Sequence, residues 1–259
     1  MRTSLLVLLL SLLSLIAACG AGQSTEDMDR SMAEFRLAAS LHHEGNVPAA
    51  MERLAAAIQL DPDNGEAHIL LGYIYLQRGA AAEAETQLRK GIDVLASREA
   101  EGGTLPEARN MLGLALLDQD RYDEAVEVFE AAARDMLNRQ PWNAWGNVGR
   151  AYYEQGAYDE SAAALRQAVE IQPQFCVGHY LLGQTYFAQE KFTDADLSLT
   201  SALEANPICE SYQGAYRLRG ETRARLGNRD DAITDLERCV ELGDDNPDGA
   251  ACRRLLDGI

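Results

Sequence analysis

Apolar residues recur at i, i+3 and i+4 spacing through most of the chain, in blocks of about a dozen residues separated by short polar or glycine-bearing breaks. A stripe at that spacing covers one face of an α-helix, so the pattern predicts an all-α chain of short helices. The blocks come in pairs with a shared register. Leu71-Gly72 with Tyr75 recurs as Leu182-Gly183 with Tyr186, and in variant form as Val148-Gly149 with Tyr152 and Leu112-Gly113 with Leu116. Twelve residues after each glycine stands a small residue, Ala84, Ala125, Ser161 or Ala195, and the same register gives Ala50 and Ala232. Four positions further on stands a bulky one: Leu54, Leu88, Phe129, Leu165, Leu199 and Leu236. Pro62, Pro173 and Pro207 close three of the copies, as a residue without an N–H would end a helix.

This phrase and its period of 34 residues resemble the tetratricopeptide (TPR) repeat. Six copies fit, over 31–64, 65–98, 106–139, 142–175, 176–209 and 213–246, with short insertions between some of them. The resemblance implies a TPR superhelical solenoid of six helix-turn-helix repeats. Small residues let the paired helices cross closely and bulky ones fill the gaps beside them. No copy buries its stripe alone, so neighbours must stack and the last one needs a cover. Residues 247–259 are expected to supply it as a C-terminal capping helix. Thr104-Leu105-Pro106-Glu107 reads as a helix start, with a capping box and an early proline. Copy two has no closing proline and is followed by the longest insertion, so a loop is expected from Glu99 to Leu105. Copy six departs furthest, with Arg219 and Arg223 where leucine and tyrosine stand elsewhere.

In such a repeat the first helices line an inner groove. The positions that would face it are apolar in the first copies: Phe35, Ile69, Tyr73, Leu76, Leu114 and Leu117, with Asn110 among them. Later copies turn polar, with Asn143, Arg150, Glu154, Gln184, Arg217, Glu221 and Arg225, apart from Tyr153, Tyr180 and Phe187. A large apolar patch facing water marks a partner site, and an amphipathic strand or helix could lay its apolar side there.

The N-terminus changes the setting. Arg2 is followed by an uncharged run from Leu5 to Ile16, shorter than the roughly 20 residues a spanning helix needs. It reads as a secretory signal over 1–18. Ala17-Ala18-Cys19 resembles the bacterial lipobox, which implies cleavage before Cys19 and acylation of its thiol, hence attachment to a membrane through lipid. Gly20 rather than Asp after the cysteine favours the outer membrane by resemblance to bacterial sorting. Residues 19–30 would then be a lipidated tether and the start of the first helix. The signal carries only Arg2, so its removal moves the net charge from −18 to −19. A chain this acidic has no general attraction for nucleic acid.

Cys176, Cys209, Cys239 and Cys252 remain, an even number suited to an oxidising compartment. Four cysteines allow three pairings. Stacked copies bring the start of copy five near the start of copy six, and the capping helix over copy six. That favours Cys176–Cys209 and Cys239–Cys252; four free buried thiols are the other reading. No metal site, cofactor or catalytic residue is expected. No CxxC, HExxH, GxSxG or P-loop pattern is present. His42 and His43 are adjacent and cannot share a ligand on a helix, where one step turns about 100°. Asp61, Asp63 and Asn64 fall where a repeat normally turns, and Gly102-Gly103 is a lone doublet.

A lipobox followed by six TPR copies resembles the type IV pilus pilotins of the PilF, PilW and Tgl type. That resemblance rests on architecture and not on a private motif. It implies an outer-membrane lipoprotein facing the periplasm, which binds secretin subunits and promotes their assembly; a monomer with no enzymatic activity is expected, the sequence alone not setting the oligomeric state. An adaptor for peptidoglycan enzymes or a subunit of an outer-membrane protein insertion complex is the alternative.

Overall fold

The computed structural model describes residues 24–97 and 104–259; the expected signal at 1–18, Cys19 and Gly102-Gly103 lie outside the described residues. Thirteen α-helices and one 3-10 turn account for nearly all of what is described. The described residues divide into two compact units, one of 24–74 with 86–97, the other of 75–85 with 104–259.

The first unit holds α1 (Thr25–His43), α2 (Val47–Leu60), most of α3 (Gly65–Gln77) and the end of α4 (Ala81–Ser97). The Ser24 side chain caps α1 by accepting from the Asp27 N–H, which starts the helix ahead of Ser31. At the joint between copies one and two, the Ser31 hydroxyl donates to the Ala57 carbonyl at 2.8 Å and accepts from the Asn64 amide at 2.9 Å. Asn64 also caps α3 through Ala67, and Asp61 accepts from the Asp63 N–H. These side chains are therefore occupied in turning the chain. Copy two lacks a closing proline, and α4 runs for 17 residues where α2 runs for 14.

The second unit continues with α5 (Thr104–Leu117), α6 (Tyr122–Arg134), α7 (Pro141–Glu154), α8 (Tyr158–Ile171), α9 (Cys176–Ala188) and α10 (Phe192–Glu204). A 3-10 turn (Pro207–Ser211) leads to α11 (Gln213–Arg225), α12 (Arg229–Leu242) and α13 (Pro247–Gly258). Pro207 thus opens a turn of its own, two residues beyond the end of α10's cap. Each helix from α5 to α13 packs on the next, and α5, α7, α9, α11 and α13 also touch in sequence. First helices therefore lie on first helices, with the second helices outside them.

The glycine of the repeated phrase explains how four of the hairpins close. A methyl group at Gly113, Gly149, Gly183 or Gly220 would lie under 3 Å from Phe129, Leu165, Leu199 or Leu236 respectively. In every case the bulky partner is fully buried. The hairpins also turn alike. A residue with positive φ stands between the two helices of all six copies: Gly45, Gly79, Asp120, Gly156, Glu190 and Gly227. Asn246 caps α13 through the Gly249 N–H, and α13 covers the end of the last hairpin.

Candidate functional site

In the first unit, Phe35 on α1 and Tyr73 on α3 are half-buried. The Tyr73 ring meets the His42 ring edge-on, with centroids 5.6 Å apart. Ile69 is only 8 % exposed. A methyl at Gly91 on α4 would collide with its Cγ1, so Ile69 fills the crossing between α3 and α4 instead of lining a groove. In the second unit, Leu76, Asn110 and Leu114 are half-buried, while Leu117 is 6 % exposed at the end of α5. The apolar lining expected from sequence is thus thinner than expected, because Ile69 and Leu117 serve packing. The remaining face is partly polar. Asn110 accepts from the Asn147 amide at 2.9 Å, and a cavity of about 180 Å³ between α5 and α7 is lined by Pro106, Asn110, Met111, Asn138, Gln140 and Asn143.

Further along the second unit the first helices carry rings. Tyr180 on α9 stacks against Tyr212, centroids 4.7 Å apart and tilted by 50°. Burial pushes the phenols of Tyr153, Tyr180 and Tyr212 up from their ordinary value. A hydrogen bond with Gln184 pulls Tyr153 part of the way back, and the charge of Arg217 does the same for Tyr180. All three stay neutral hydroxyls at physiological pH. Arg217 is itself held by Asp248 of α13 at 2.7 Å, a partner that the repeat register did not reveal. Arg225 lies over the Phe187 ring at 5.9 Å. The face offers rings, amides and hydroxyls, which suits a polypeptide with apolar side chains and free backbone groups.

The cysteines pair as Cys176–Cys209 and Cys239–Cys252, with Cα separations of 5.9 and 6.3 Å. The first bridge joins the start of α9 to the 3-10 turn, and the second fastens α13 to α12. His68 and His179 share a structural role. Their Nε2 atoms lie 3.0 Å from the carbonyls of Pro62 and Pro173, each the proline that closes the preceding copy. Among the described residues no group of His, Cys, Asp or Glu side chains is placed to hold a metal ion, and no helix is long and apolar enough to cross a membrane.

Stacked helical hairpins with a half-buried ring-and-amide face define a repeat scaffold of the protein-binding kind. The tetratricopeptide repeat profile matches residues 41–105, 94–138, 110–174 and 180–248, and the chain belongs to that family. Curated relatives are distant. The chain is 23 % identical over 209 residues to a BBSome complex member BBS4 homolog of Drosophila melanogaster, covering 80 % of this chain and 40 % of that protein. It is 32 % identical over 98 residues to RNA polymerase II-associated protein 3 of Mus musculus, covering 38 % of this chain and 14 % of that one. The chain therefore spans less than half the length of these relatives. Among solved structures it is similar to PilW, described as a widely conserved type IV pilus biogenesis factor, with a TM-score of 0.72 and 20 % identity over 85 % of this chain and 96 % of PilW. The Pseudomonas aeruginosa PilF structure gives a TM-score of 0.69 and 16 % identity over 89 % of this chain and 100 % of PilF. MamA gives 0.59 and 22 % over 71 % and 96 %. At these identities the likeness is one of fold.

Proposed function

We propose that the chain is a pilotin: a lipoprotein, acylated at Cys19, that receives secretin subunits on the exposed faces of its first helices and promotes their assembly for type IV pili at the outer membrane. The observation that carries this reading is the likeness to PilW and PilF, which runs over 96 % and 100 % of those two chains. On the second unit the partner would lay apolar side chains against Leu76 and Leu114 and hydrogen-bond its backbone to the amides beside Asn110; on the first unit Phe35 and Tyr73 offer half-buried rings of the same use. The scaffold supplies binding and no chemistry. Holding apolar surface of a subunit until it meets its neighbours would keep that surface from aggregating.

Deletion of the gene tests the reading. Secretin multimers that resist heating in a denaturing gel are expected to disappear and to return on complementation. If they persist unchanged, the pilotin reading fails. Recovery of a peptidoglycan hydrolase with the protein, in place of a secretin, would move it to an adaptor of cell-wall enzymes.

A further inference from the structure

Rings of the chain itself fill one recurring slot in the second unit. The slot lies between the fifth residue of one copy and the third residue of the next. At the joint of copies four and five it holds Phe175. A methyl at Gly146 would come within 3.0 Å of that ring's Cε1, and one at Gly178 would collide with its edge. Gly146 is the fifth residue of copy four and Gly178 the third of copy five. At the joint of copies five and six the slot holds Tyr212, stacked on Tyr180 and packed against the cluster of Ala202, Leu203 and Ala215. Tyr180 and Ala215 are again the fifth and third residues of their copies. Phe175 and Tyr212 each stand immediately before a first helix.

The joint of copies three and four has the slot and lacks the ring. Its corresponding residues, Asn110 and Ala144, both line the cavity of about 180 Å³ between α5 and α7. Pro141 stands at the register position of Phe175 and Tyr212. Neither Pro141 nor its neighbour Trp142 lines the cavity. An apolar cavity of about 150 Å³ holds benzene, so the space suits a six-membered ring. Pro106 and Met111 give it apolar walls, and Asn110 and Asn143 bring amides to it. Asn110 accepts from Asn147, and its own Nδ2 donates to nothing among the described residues.

We infer that this cavity takes an aromatic side chain of the bound polypeptide, tyrosine above all, in the place that Phe175 and Tyr212 fill at the next two joints. The inference rests on the reading of this face as a polypeptide site, and it adds the side chain that anchors the partner there. A ring entering the cavity meets Pro106, Met111 and Ala144 and leaves water, a large apolar burial for one side chain. A phenol that is buried needs a partner for its hydroxyl, and the Nδ2 of Asn110 is the donor available to it. Leucine would occupy part of the space and use neither the flat shape nor the amide.

The probe is acetyl-Ala-Tyr-Ala-amide, added to the full chain with isotope-labelled methionine methyls, the Met111 signal being assigned from Met111→Leu. The Met111 methyl is expected to shift saturably, with half-saturation on the order of 1 mM for a single anchored ring. Acetyl-Ala-Leu-Ala-amide should bind at least about tenfold more weakly, because it lacks both ring and hydroxyl. Pro141→Phe gives this joint a ring of its own. It should abolish the shift while helical circular dichroism is retained and melting stays at or above that of the parent. Asn110→Phe fills the cavity from α5 and serves the same end if Pro141→Phe does not fold. No saturable shift in the parent, an equal response to the leucine peptide, or a shift that persists in a folded variant overturns the inference. Secretin capture is measured apart. A parent that takes the tyrosine peptide at Met111 but captures no secretin keeps the slot and loses the pilotin reading. If folded Pro141→Phe captures secretin as well as the parent does, the partner is anchored elsewhere and the inference falls.

Discussion

Arg219 closes on Asp235 as a two-pronged fork, its Nη2 and Nε lying 2.6 and 2.8 Å from the two carboxylate oxygens. Asp235 is only 2 % exposed. Arg223 adds a third bond to it at 2.9 Å and reaches on to Asp196 of the preceding hairpin at 2.8 Å. Two arginines meet two aspartates, so the cluster is neutral and joins α10, α11 and α12. Removing one partner strands a buried charge. Asp235→Ala is expected to cost about 3 kcal/mol or more, read as a lower urea midpoint at unchanged slope. Arg219→Leu with Asp235→Leu removes the fork entirely and leaves Arg223 with Asp196. That pair of changes should return stability to within about 1 kcal/mol of the parent, because apolar packing replaces a desolvated ion pair at little net loss. An Asp235→Ala protein that melts like the parent would show the cluster to be idle.

The departure of copy six was half legible. Arg219 and Arg223 stand out against the leucine and tyrosine of other copies, but the residue that receives them does not announce itself. Its register position holds Gln87, Val128, Ala164 and Ser198 in copies two to five, so an acid there was the available signal. The hairpins were legible because Gly149 and Leu165, or Gly183 and Leu199, are the same close contact written repeatedly. The lining of the candidate site was less so. Repeat position says which way a side chain starts, but Ile69 is drawn into the crossing beside Gly91, a partner set by copy two alone. Asp248 meeting Arg217 was equally hidden, since α13 lies outside the repeat register.

Glu190 occupies the turn between α9 and α10 with φ of 58°, where Gly45, Gly79, Gly156 and Gly227 stand in other copies. A side chain in that region costs roughly 1 kcal/mol, which glycine avoids. Glu190 is exposed and has no role in the core. Glu190→Gly should therefore raise stability by a few tenths to about 1 kcal/mol, the unfolded-state entropy of glycine offsetting part of the gain. Chemical denaturation measures this directly. A loss of stability would mean that the glutamate makes contacts worth more than the backbone strain.

Tyr212 and Tyr180 make the fold sensitive to alkali. Burial raises both phenols above the ordinary value of 10.0, so the folded protein keeps protons that the unfolded chain releases. Above about pH 10 the unfolded state binds fewer protons, and stability falls as pH rises. Below that value neither state ionises and the contribution is constant. The melting temperature should be level from pH 8 to about 9.5 and drop beyond it, and Tyr212→Phe should flatten the drop without abolishing it, because Tyr180 remains. An equally steep fall in the variant would assign the alkaline sensitivity elsewhere.

Leu114 and Ile69 separate binding from packing. Both are apolar and both stand on first helices, but Leu114 is half-buried and Ile69 is nearly sealed. Leu76→Asp with Leu114→Asp puts charge where a partner's apolar side chains would sit, while leaving each carboxylate a route to water. The fold should survive, with helical circular dichroism retained and melting lowered by only a few degrees. Capture of the secretin subunit should weaken at least about tenfold, the scale of one apolar anchor lost at an interface. Ile69→Asp forces a charge into the crossing of α3 and α4, and that protein should melt far earlier or fail to fold. Capture that survives the Leu76 and Leu114 changes in a folded protein would place the partner on another face, whatever the fate of Ile69→Asp.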